Sequence, residues 1–111
     1  MITINGKKTT RITLKKGEVK LFSFSYNVDI STATFHFGIK NNKSDSVYAI
    51  EITDAQFDKT QITNRVVKCI IDTSVLSANE IYFGEMKTSW GNTSVDKTED
   101  IVLEIQEPVI P

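Results

Sequence analysis

The chain has one cysteine, one histidine and one tryptophan in 111 residues. A lone Cys69 excludes an intrachain disulfide framework and a cysteine-based zinc site within one chain. A lone His36 excludes a two-histidine metal motif and is the only residue that could serve a serine nucleophile as the usual base. The five glycines are isolated, so nothing resembles a loop that cradles phosphate. Asp54, Asp58 and Asp72 are scattered and follow no calcium-loop spacing. These absences point away from an enzyme. No catalytic residue, metal ligand or cofactor site is expected.

Charge of one sign is also missing. The net charge is −1, so no global field draws the chain to nucleic acid or to a membrane surface. No apolar run is long enough to span a bilayer, and the opening MITINGKKTTRITL lacks the apolar core of a signal peptide. The expectation is synthesis in the cytoplasm without a signal peptide. No stretch of ten residues carries a helical period, and there is no repeat or interdomain linker. The length fits one domain over residues 1–111.

What the chain does have is alternation, the mark of half-buried strands. Ile2 and Ile4 open an edge strand, and Asn5-Gly6 is a turn signal. Ile12 and Leu14 share a face before Lys15-Lys16-Gly17 turns the chain. Phe22, Phe24 and Tyr26 point one way, with Val19 and Leu21 the other way. Phe35, Phe37 and Ile39 point inward, with Thr34, His36 and Lys40 outward. A strand over residues 47–53 places Tyr48, Ile50 and Ile52 on its apolar face. Phe57 and Ile62 pin the loosely patterned segment 54–64 over the core. Val66 to Ile71 reads as a buried strand that holds Cys69 as an inert apolar side chain. Ile81 to Trp90 is an aromatic strand, and Ile101, Leu103 and Ile105 line the last one before Pro108. The pattern implies an all-β, immunoglobulin-like antiparallel sandwich of about seven or eight strands.

The stretch IDTSVLSANEIYFGEM, residues 71–86, interrupts this rhythm. Asp72 is a good N-cap for a single helical or 3₁₀ turn over residues 73–77. Val75 and Leu76 would plug the end of the sandwich while the chain crosses between sheets.

Two features suggest contacts. Residues 1–20 carry Lys7, Lys8, Arg11, Lys15, Lys16 and Lys20 against Glu18; from Asp96 onward Asp96, Glu99, Asp100, Glu104 and Glu107 stand against Lys97. Either the end strands are neighbours and pair by charge, or copies stack head to tail through residues such as Lys15, Lys16, Glu104 and Glu107. The lysines near the first strand also suit protection of a sheet edge. Trp90, ahead of the turn Gly91-Asn92-Thr93, either caps the core or, with Tyr82, meets a sugar ring or a protein surface.

The succession VVKCIID, TSVLSAN, EIYFGEMKTSW, GNTSVDKTED and IVLEIQEPV resembles the N-terminal β-sandwich domain of the upper baseplate proteins (BppU-like) of siphophages of Gram-positive hosts. LFSFSYNVDISTATFHFGIKNN resembles that domain's opening, so the likeness covers roughly residues 10 to 109. It implies a phage virion component of the tail or baseplate that docks to other virion proteins or to copies of itself. A sandwich that binds a host-surface glycan or receptor is the second expectation.

Overall fold

The structure is a computed structural model that describes residues 2–4, 11–98 and 100–110. Among these residues there are nine strands: β1 (Ile2–Ile4), β2 (Arg11–Lys15), β3 (Val19–Tyr26), β4 (Thr34–Lys40), β5 (Ile50–Ile52), β6 (Val66–Asp72), β7 (Glu80–Trp90), β8 (Ser94–Lys97) and β9 (Ile101–Gln106). They form a three-stranded sheet in the order β1-β3-β6 and a six-stranded sheet in the order β2-β9-β7-β4-β5, with β8 also paired to β7. The protein is a β-sandwich, immunoglobulin-like in that its opening segment is shared between the sheets and the chain crosses repeatedly from one sheet to the other.

Two details refine this expectation. The strand count is nine because Ser94–Lys97 is also a strand; all four of its side chains are exposed, so it has no buried period to read. The sandwich is not wholly antiparallel, since β2 runs parallel to β9 with Thr13 opposite Glu104. A parallel partner arises because β2 and β9 are far apart in sequence and no hairpin joins them.

The core is aromatic and lies between the sheets. Phe22, Phe24 and Tyr26 of β3 face Phe35 and Phe37 of β4, with ring centroids 5.4 Å apart for Phe24–Phe37 and 6.0 Å for Tyr26–Phe35. Val67, Cys69 and Ile71 of β6 and Ile101, Leu103 and Ile105 of β9 complete it, and Phe57 is buried over one flank. A buried hydrogen bond of 2.7 Å joins the Tyr26 hydroxyl to Thr88 Oγ1 and so links the two sheets. Burial pushes the Cys69 thiol up to about 12, as suits an apolar setting with no activating cation.

The interrupted stretch is the crossover from β6 to β7. The Asp72 carboxylate accepts the Ser74 N–H, and a 3₁₀ turn, Thr73–Val75, follows. Thr73 is fully buried and donates its hydroxyl to the Glu18 carbonyl at 2.7 Å. Leu76 seals the core, but Val75 is 65% exposed and so does not form part of the plug. With a turn of only three residues, neighbouring side chains point in different directions, and one of the two must face out.

Two further residues depart from expectation. Tyr48 precedes β5 and leaves the core face. Its ring lies over Gly38, where an added Cβ would collide with it. Ile70 is 61% exposed, because β6 alternates despite its apolar composition. Lys7, Lys8 and the Asn5-Gly6 turn lie outside the described residues.

Edges are protected in several ways. β1 and β5 are only three residues long, and β2 ends in Arg11 and Lys15. The outer edge of β6 is partly covered where Asp58 and Lys68 exchange backbone hydrogen bonds at 2.8 and 3.1 Å.

Candidate functional site

The charged ends meet inside the chain. Because β2 lies beside β9, Arg11 reaches Glu104 at 2.6 Å, and this guanidinium holds the Glu104 carboxyl below the usual carboxylate range. Lys16 Nζ donates to the carbonyls of Ser74 and Leu76 at 3.0 and 2.6 Å, so it holds down the β6–β7 crossover. Lys15 is exposed, with its backbone N–H donating to the Glu18 carboxylate. Glu107 is exposed and sits 3.5 Å from the Asn79 amide. Of these four candidates, Lys16, Glu104 and Glu107 have side-chain partners within the molecule.

Tyr82 is a core residue, which corrects its reading as a surface contact. It is 6% exposed, and its hydroxyl accepts the Ser77 N–H at 2.9 Å. A tyrosine whose hydroxyl bonds back to the backbone upstream, at the corner leading into its strand, is a recurrent device of immunoglobulin-like sandwiches. Its spacing from the Ser77 turn was the available signal.

Trp90 lies partly on the core and partly at open surface. One side packs against the core, and the indole N–H donates to the Asp29 carbonyl at 3.0 Å. The other side lines a groove of about 660 Å³ with Val28, Asp29, Thr32, Gly91, Thr93, Ser94 and Asp96. The N–H of Ser31 bonds the Asp29 carboxylate and holds its carboxyl below the usual range. An aromatic face flanked by carboxylates and hydroxyls offers a sugar ring both stacking and hydrogen bonds.

Three exposed apolar side chains share the outer face of the three-stranded sheet. Leu21 and Ile70 are directly opposite across β3 and β6, and Val19 lies two residues from Leu21 on the same face. Their exposures are 52%, 61% and 61%. No signal beyond the alternation of β3 marks this face, and in β6 the buried and exposed apolar residues are alike in type.

His36 Nε2 is 2.6 Å from Glu51, and the ring meets Tyr48 edge-on. No group of three or more potential metal ligands occurs among the described residues. Comparison with protein-family models and with curated proteins finds no match for the chain.

Proposed function

We propose that the protein is a structural component of a phage virion, of the tail or baseplate, and that it works by docking to copies of itself or to neighbouring virion proteins without catalysis. The observation that carries this reading is the exposed Val19-Leu21-Ile70 surface on a small, rigid sheet. Apolar side chains contiguous across two strands are characteristic of contact surfaces. The motif succession from VVKCIID to IVLEIQEPV supplies the virion setting. Arg11–Glu104 and Lys16 serve the fold, and the docking face is apolar at its centre, with Asp72 opposite Val19 and Lys68 opposite Ser23 at its margins.

The test is light scattering across a concentration series, alone and with neighbouring tail proteins. The parent is expected to assemble, and Leu21→Asp with Ile70→Asp to remain monomeric with an unchanged circular dichroism spectrum. Assembly that survives both substitutions would remove this face from the reading.

The Trp90 groove favours a second reading, a module that binds a host-surface glycan. A parent that stays monomeric at every concentration, and that loses glycan-array binding on Trp90→Ala, would replace the first reading with the second.

A further inference from the structure

We propose that the outer face of the six-stranded sheet holds a binding site for a small phosphate- or carboxylate-bearing ligand, with Lys87 and Lys97 as its charged pair. Lys87 stands directly opposite Lys97 across β7 and β8, and directly opposite His36 across β7 and β4. The three side chains form one row on one face, at a strand spacing of about 4.8 Å. Like charges directly opposite each other destabilise a sheet. Among the described residues no carboxylate lies within ion-pair distance of either lysine. An anion placed between the two ammonium groups removes that repulsion and gains two charge-assisted hydrogen bonds.

The fold hollows the face at this point. The edge of β7 is paired by β9 over Glu80–Gly84 and by β8 over Lys87–Trp90. The partner changes between them, where Thr98 closes the seam by bonding the Met86 backbone at 3.0 Å. The resulting cradle has a volume of about 340 Å³. That lies at the small end of ligand pockets and exceeds what a bare ion fills. Its described lining carries Lys40, Lys43, Lys87 and Lys97 against two carboxylates, and one of these, Asp100, is paired to Lys43. In a chain of net charge −1, this is a local concentration of positive charge. Tyr48 forms one wall. Its ring is seated on Gly38, with Lys40 Nζ 4.8 Å from the ring centroid.

The site lies on the sheet opposite the docking face, so either reading can fail without the other. The ¹⁵N-labelled protein would be titrated with glycerol phosphate and, separately, with glucuronate; glycerol and glucose are the uncharged controls. Saturable shifts at Lys87, Lys97 and Gly38 are expected with at least one charged ligand, which identifies the phosphate or the carboxylate as the group recognised. Neither control should produce them. The double substitution Lys87→Gln with Lys97→Gln should raise Kd at least about tenfold, the loss expected when charge-assisted contacts are removed. Lys68→Gln on the opposite sheet should leave Kd unchanged. Added salt should weaken binding by the parent, since it screens exposed charge. Absence of saturable shifts with both charged ligands, equal binding by the double variant, or a Kd independent of salt would each overturn the proposal.

Discussion

Tyr26 spans the thickness of the sandwich to place its hydroxyl 2.7 Å from Thr88 Oγ1, and both groups are buried. Removing one partner leaves the other buried without a hydrogen bond, which costs more than the bond itself contributes. Tyr26→Phe and Thr88→Val are each expected to destabilise the fold by about 1–3 kcal/mol. The double variant should cost less than the sum of the two, and urea unfolding of all four proteins measures the coupling. Tyr26 was legible as a core residue from its place in the Phe22-Phe24-Tyr26 series. Its partner was not, because Thr88 carries no apolar signal and the bond crosses between sheets. Tyr82 failed for a related reason. Its type suits a surface contact, but the backbone N–H of Ser77 at the corner takes its hydroxyl and draws the ring inward.

At the scale of elements, the long β7 organises the large sheet by pairing with β4 on one edge and with β9 and then β8 on the other. The cross-strand pair Lys87–Lys97 is the electrostatically unfavourable part of that arrangement. Lys97→Glu turns it into a pair of opposite charge and should stabilise the fold by about 0.2–1 kcal/mol. Thermal unfolding at low salt checks this. The same substitution should abolish anion binding, so stability and ligand affinity move in opposite directions. β8 was not readable in advance, since its exposed SVDK has no apolar face and is held only by its pairing with β7. The β6–β7 crossover was largely readable. Asp72 is a local signal for a cap, whereas the choice of Leu76 over Val75 as the plug depends on where the second sheet stands.

For the molecule as a whole, the buried interlayer ties stability to pH at the alkaline end. Burial pushes the Cys69 thiol from 9.0 to about 12 and the Tyr26 phenol from 10.0 to about 12. Both are acids whose neutral form the folded state favours. Their contribution is therefore fully present below about pH 9 and is lost as pH rises toward 12. Stability should fall steadily over that interval, and Cys69→Ala should make the fall shallower while lowering stability at neutral pH. Denaturant titrations at stepped pH measure both effects. A thiol reagent at pH 8 should leave native Cys69 unmodified and label it once the chain is unfolded, because the reactive thiolate is disfavoured and the sulfur is buried.

The alternation in β3, β4 and β9 was enough to determine an all-β sandwich and most of its core, because side chains on a strand point alternately to opposite faces and one face has to leave water. The lone cysteine and histidine likewise limited the chemistry, since a site that needs several ligands cannot form from one. Only the tertiary structure decided which charges meet, which apolar residues stay exposed and where the surface is concave. Arg11 finds Glu104 through a parallel pairing between strands far apart in sequence, and Lys87 faces Lys97 through the register of a polar hairpin. Such neighbours are set by register and topology, which the local pattern of a strand does not encode.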